Sequence, residues 1–154
     1  MVKLRITLTK EHLVAIGKIT LEFAFVDLTL NVSLWNLIGI KQQMGEMITT
    51  SLSFAQKRDL FRALYLYKYK PDGKKLSDLG KLVKRIERAG TDRNSITHSL
   101  WMSRENQKPF TISRIKSTVK RKSGFERKIE DVSAEDLEKI ADSFNELAND
   151  ILYF

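Results

Sequence analysis

The chain has 154 residues, 42% of them hydrophobic and 30% charged, which fits one folded domain with a core of its own and argues against disorder. It has no cysteine, which excludes disulfides, thiol catalysis and thiolate metal sites. Its formal charge of +8 favours a polyanionic partner, by an attraction that fixes neither fold nor reaction.

No basic stretch followed by an apolar one opens the chain, so no secretory signal is expected and the cytoplasm is the expected location. Residues 1–8 alternate apolar Val2, Leu4, Ile6 and Leu8 with Lys3, Arg5 and Thr7, a short strand or extended lead-in. From Lys10 the period becomes helical to residue 39, with Thr9 as N-cap. Glu22, Asp27, Asn31 and Asn36 interrupt its most apolar part, so the helix does not span a membrane and no membrane partner is expected. On a helical wheel Glu22, Thr29, Ser33 and Asn36 form one narrow polar stripe between two apolar sides. Such a helix is buried around most of its circumference, more than a small bundle covers, and a subunit interface is expected. Asp27 and Asn31 lie opposite that stripe. They read either as a hydrogen-bonded buried pair or as groups facing an active cleft or a dimer axis.

Gly39 and Gly45 bracket a break around a short helix over residues 42–50. Ser53 and Gln56 form a capping box, and the helix that follows carries Leu60, Phe61, Leu64 and Tyr67 at core spacing before the Pro71-Asp72-Gly73 turn. Tyr65, Tyr67 and Tyr69 alternate with lysines there and read either as stacking rings or as a solvent-facing helix end. Residues 75–89 make an amphipathic helix with Leu76, Leu79, Leu82, Val83 and Ile86 inward and Lys81, Lys84, Arg85 and Arg88 outward. Gly90 can end it, with Thr91 capping a new helix, or the helix continues through. In the first case Arg93 and Asn94 occupy a first turn, where free amides favour an anion.

The segment Asp92-Arg93-Asn94-Ser95-Ile96-Thr97-His98-Ser99-Leu100-Trp101 holds one of the two histidines. Asn94 and His98 are four apart and share a helix face. An imidazole that titrates near neutrality, an amide and a permanent guanidinium suit a phosphodiester. Set against this, His98 also reads as a satisfied core histidine and Arg93 as an ion-pair partner of Asp92 or Glu87. His12 has no such neighbours and is expected at a boundary position without a role.

Residues 99–118 read as a β-hairpin insertion, with strands around Leu100–Ser103 and Phe110–Lys116, and residues 119–132 as a basic loop. Arg114, Lys116, Lys120, Arg121 and Lys122 are the candidate RNA-binding residues, able to track phosphates without reading sequence. Ser133 caps a last helix whose Leu137, Ile140, Ala141, Phe144, Leu147 and Ile151 form a continuous core stripe. No metal-ligand spacing, phosphate loop or internal repeat is present, so no metal or cofactor is expected.

Arg93 and Asn94 followed by three residues and His98 resembles the signature of the HEPN superfamily (higher eukaryotes and prokaryotes nucleotide-binding), small helical domains that include many ribonucleases of toxin–antitoxin and phage-defence systems. The resemblance implies that the whole chain, residues 1–154, is one such domain, homodimeric, with two motif segments across a cleft. Arg93 would bind the scissile phosphate, Asn94 would orient His98 or the phosphate, and His98 would act as general acid or base. The chemistry implied is metal-independent attack of an RNA 2′-hydroxyl on the adjacent phosphate. A motif variant with tyrosine two after the histidine undergoes nucleotide transfer by an antitoxin; Leu100 stands there in this chain.

The expected fold is thus all-α, an antiparallel bundle of about five helices with a β-hairpin insertion. The expected function is endoribonuclease, with RNA, a second copy and an antitoxin or other operon-encoded protein as partners. The rivals are a catalytically silent binding or interaction module of the same family and a basic protein that binds nucleic acid without cutting it.

Overall fold

Thr9 starts the first helix by accepting a hydrogen bond from the His12 backbone N–H at 3.3 Å, and α1 runs over Lys10–Ile38 until Gly39 turns left-handed at φ 79°. The computed structural model describes residues 8–104, 111–120 and 124–154. After α1 come α2 (Gln42–Thr49), α3 (Phe54–Tyr69), α4 (Gly73–Thr97), β1 (Leu100–Arg104), β2 (Thr111–Lys120), β3 (Gly124–Asp131) and α5 (Ala134–Tyr153). The strand expected over residues 1–8 lies, apart from Leu8, outside the described residues, as do Arg121 and Lys122.

The molecule is mostly helical, and its helices do not alternate in direction. Down the α1–α5 contact Lys18 meets Asp142, Glu22 meets Asn145 and Ser33 donates to the Ile151 carbonyl. Residue numbers rise together on both sides, so α1 and α5 are parallel. The same holds for α1 and α3, where Phe23 meets Phe54, Asp27 meets Lys57 and Lys68 donates to the Asn36 carbonyl. Only α4 runs against its neighbours, with Phe54 beside Gly90 and Arg58 paired to Glu87. The antiparallel bundle expected from sequence is therefore corrected. Two return paths make parallel helices possible: α2 brings the chain back along α1 toward the start of α3, and α4 brings it back from the end of α3 to the start of α5.

The α2 return is tight. Gly45 lies under Trp35, where an added Cβ would be 2.3 Å from the indole, and Trp35 Nε1 donates to Thr49 Oγ1 at 3.3 Å. The core joins Ile19, Val26, Leu30 and Leu34 of α1 to Phe61, Leu79, Ile86, Leu137, Phe144 and Ile151, all buried. Each such side chain contributes roughly 1.5–3 kcal/mol on burial. Tyr67, expected in this core, is exposed, and Tyr65 turns in instead. The α3 face meeting α1 passes through Phe54, Lys57, Phe61 and Lys68, which rotates Tyr67 away.

The polar stripe of α1 also faces inward. Glu22 and Ser33 bond to α5, and the buried Thr29 hydroxyl donates to the Val26 carbonyl. The open side is the apolar one, with Val14, Leu21, Phe25 and Leu28 exposed. His12 is buried instead of lying at a boundary: its Nε2 donates to the Val132 carbonyl at 2.9 Å, and its Nδ1 meets the Thr9 hydroxyl at 2.8 Å. That pair ties the start of α1 to the β3–α5 junction. No described helix is long and apolar enough to cross a membrane.

The expected hairpin forms as β1–β2, and residues 124–131 of the expected basic loop add a third strand, which makes an antiparallel sheet in the order β1-β2-β3. Residues 124–131 form a strand because Phe125, Arg127 and Ile129 alternate with Glu126, Lys128 and Glu130, a period of two hidden by the charges. Leu100, Ile115 and Ile129 stand in one cross-strand row, and Glu130 receives both Arg114 and Lys128.

The hydrogen bonds from Lys128 and Arg114 hold the Glu130 carboxyl down to about 2. Because that value lies below the unfolded carboxylate's, the stabilisation is complete above about pH 4.5 and is lost as pH falls toward 2. Protection factors at the β2–β3 amides, exchange rates corrected for the intrinsic rate at each pH, should fall across this window in the native protein. In Glu130→Gln the acid step should shrink, and an unchanged step would mean that other carboxylates control the sheet.

Candidate active site

Gly90 does not end a helix. Helix α4 continues through it to Thr97, and the Phe54 ring packs on the space that a side chain would take: an added Cβ would lie 3.0 Å from Phe54 Cδ1. The glycine therefore serves close approach rather than termination. Arg93 and Asn94 consequently sit in the last turns of α4, and the first-turn alternative is corrected. The backbone there ends in carbonyl oxygens rather than free amides, so attraction of a phosphate rests on side chains.

Phe54, admitted by Gly90, stacks against Phe23 of α1 with ring centroids 4.7 Å apart, and Phe23 also meets Phe144 of α5 at 5.9 Å. The Arg93 guanidinium lies over the Phe23 ring, 5.3 Å from its centroid. One of its nitrogens donates to Asn94 Oδ1 at 2.9 Å. A half-buried, planar cation is thus held by a ring and an amide, an arrangement worth about 0.5–1 kcal/mol at the ring. Asn94 orients Arg93 here, not His98. His98 is the C-cap residue of α4; its backbone N–H donates to the Asn94 carbonyl at 3.1 Å, and its exposed imidazole makes no hydrogen bond to a described residue.

The rest of the segment closes the helix end. Thr97 Oγ1 donates to the Arg93 carbonyl at 2.9 Å, Ser99 Oγ donates to the Ser95 carbonyl, and Trp101 folds back so that its Nε1 donates to the Ile96 carbonyl at 3.1 Å. The carbonyls that every helix leaves open are satisfied by the motif's own neighbours. Ser99 and Trp101 are therefore structural, a role that hydroxyl and indole types just past a helix end could have suggested.

Comparison with protein-family models, curated proteins and solved structures returned no match. What the site can do must be argued from its own groups.

One turn beyond Phe23, Asp27 takes both its hydrogen bonds from Lys57, at 2.9 and 2.8 Å. The lysine side chain is 8% exposed and the aspartate 33%. Asp27 and Asn31 are thus not a hydrogen-bonded pair: Asp27 belongs to Lys57, and the buried Asn31 Oδ1 has no partner among the described residues. Arg58 bridges Asp59 and Glu87, joining α3 to α4 beside the same contact. Lysine at position 57, inside a capping-box helix, reads as a surface residue, and nothing in the sequence marked it as buried.

Among the candidate RNA-binding residues, Arg114 is half-buried and bound by Glu130, and Lys116 is exposed on β2. Lys120 falls within β2. Arg127 and Lys128, exposed on β3, add to this surface, and Lys116 stands directly opposite Lys128. Two like charges facing each other across strands are unfavourable unless an anion lies between them or a carboxylate relieves them, and of these two lysines it is Lys128 that Glu130 engages, along with Arg114.

The buried ion pair should respond asymmetrically to mutation. Asp27→Ala leaves the Lys57 ammonium buried without a partner and should cost about 2–4 kcal/mol. Lys57→Met fills the same space without charge, leaves the better-solvated carboxylate, and should cost about 1 kcal/mol or less. Urea denaturation of both variants measures the difference; equal losses would mean that the lysine's hydrocarbon packing, not its charge, matters.

Proposed function

We propose that the protein is a metal-independent endoribonuclease of a HEPN-like toxin or defence type. The observation that carries this reading is the surroundings of Arg93. Arg58, Arg85, Arg88 and Arg114 are each paired with carboxylates, which spend much of their charge. Arg93 is held by an aromatic ring and a neutral amide, so its orientation is fixed while its charge stays available. That is what binding a scissile phosphate and stabilising its developing negative charge require.

In this reading Arg93 grips the phosphate and Asn94 keeps the guanidinium in plane. A general base takes the proton of the RNA 2′-hydroxyl, whose oxygen attacks the adjacent phosphorus. The P–O5′ bond breaks, and a general acid gives its proton to the departing 5′-oxygen. The products are a 2′,3′-cyclic phosphate and a 5′-hydroxyl. His98, one turn after Asn94 with its imidazole open, supplies one of these groups. A second copy would supply the other, its approach supported by the exposed apolar side of α1 at Val14, Leu21, Phe25 and Leu28. Lys116, Arg127 and Lys128 would guide the RNA backbone, an attraction that weakens with salt. An operon-encoded antitoxin would act by covering these groups, and the cytoplasm, where the RNA substrate resides, is the proposed setting.

One observation favours a second reading, a catalytically silent binding module of the same family. Asn94 is occupied by Arg93, and no described residue fixes the His98 ring. General bases are usually oriented by a third group.

The deciding experiment compares a mixed-sequence RNA and its DNA counterpart in EDTA, with wild type and His98→Ala. RNA-only cleavage that leaves cyclic phosphate ends and disappears in His98→Ala establishes the nuclease, and Arg93→Ala should lower the rate about 100-fold or more. Inert wild type that still binds RNA in a salt-sensitive way would replace it with the binding module.

A further inference from the structure

At the other end of α1 the chain forms a cavity of about 150 Å³ between α1, α3 and α5, lined among others by Ser33, Asn36, Tyr65, Tyr69, Ile151 and Phe154. Asn36 lies 13 residues beyond Phe23, about 20 Å along the helix. The cavity is therefore separate from the Arg93 site.

Its lining combines aromatic rings with neutral polar groups. The Tyr65 ring is the centre of a cluster, with centroid distances of 4.7 Å to Tyr69, 5.0 Å to Phe154 and 6.1 Å to Phe61. Among the described residues no acidic or basic side chain lines it. The Lys68 ammonium donates to the Asn36 and Leu37 carbonyls and lies 5.7 Å from the Tyr69 ring centroid, where it disfavours a second cation. The Ser33 hydroxyl is spent on the Ile151 carbonyl. The Asn36 side-chain amide is exposed and has no hydrogen-bond partner among the described residues, leaving two donors and an acceptor in one plane. Burial raises the Tyr65 phenol above its ordinary range, so it stays a neutral donor at physiological pH.

Size narrows the ligand further. Cavities for whole drug-sized ligands hold roughly 300–1,000 Å³, and this one has room for a single ring system with its substituents left outside. A flat, neutral ring with alternating donors and acceptors on its edge satisfies all of these features. Aromatic side chains stack on bases irrespective of sequence, and an asparagine amide can pair with the adenine edge in two hydrogen bonds.

We propose that this cavity is a subsite for one nucleobase, stacked on the Tyr65 cluster with its edge read by the Asn36 amide. The proposal goes beyond the cleavage reading and stands if that reading fails.

Adenosine titrated into the isotope-labelled full chain tests it by NMR. Saturable shifts of the Asn36 side-chain amide and of the Tyr65 and Tyr69 rings are expected. Asn36→Ala, a change at an exposed position that should leave the circular dichroism unchanged, should weaken binding about tenfold or more, and Tyr65→Leu should weaken it at least as much. Tyr65→Phe, which keeps the ring, should retain most of the affinity. Absence of saturable shifts in folded wild type, or unchanged affinity in Asn36→Ala, would overturn the proposal. So would tighter binding of tetramethylammonium than of adenosine, which would make the cavity a cation cage.

Discussion

Four helices of the bundle meet at one ring. Phe23 of α1 stacks on Phe54 of α3, touches Phe144 of α5 and carries the Arg93 guanidinium of α4 on its face. The contact is possible because Gly90 has no side chain where Phe54 enters. Aromatic pairs at these separations contribute about 0.5–1.5 kcal/mol each beyond their burial, which is modest for the fold. Their larger effect is positional. A guanidinium on a long, flexible stem costs entropy to hold in place, and here the packing that joins the helices also fixes the cation.

The order of helices explains why the candidate site lies where it does. With α1, α3 and α5 parallel, each return must be made by something else, and only α4 is a full-length helix in the opposite direction. It ends where α5 begins, so the sheet fills the gap and the segment around His98 falls at the base of the sheet. His12 secures that end: it spans from the α1 N-cap to the Val132 carbonyl, holding the β3–α5 junction against the first helix. The site is thus enclosed by a junction of helix ends rather than by a cleft within the bundle.

Helix positions, both capping boxes and most core residues were legible in the sequence because they depend on local spacing and on side-chain chemistry that acts within one turn. Ser53 with Gln56 and Ser133 with Asp136 bond as their spacing requires. What could not be read depends on long-range partners. Lys57 looks like a surface residue until Asp27, 30 positions away, is placed beside it. Strand β3 was hidden by its own charges, one of which, Glu130, finds its cross-strand partner in Arg114 of β2. Helix direction is likewise invisible to periodicity, since an apolar stripe packs equally well in either sense. For the site, the residue types and the shared face of Asn94 and His98 were legible, whereas the ring under Arg93 was not, because Phe23 lies 70 positions earlier and reads as ordinary core.

The open side of α1 bears on how complete one copy is. A side chain such as Leu21, 73% exposed, gains roughly 1 kcal/mol or more when covered. Val14, Leu21, Phe25 and Leu28 from each of two copies would therefore supply about 8 kcal/mol or somewhat more, against an association cost of roughly 4–15 kcal/mol. The stripe alone is close to balance. A pairing so near balance is sensitive to anything that binds both copies at once. A polyanion that contacts the basic sheets of both copies is the sort of ligand that would tip it, so that in the proposed reading pairing and polyanion binding would favour each other.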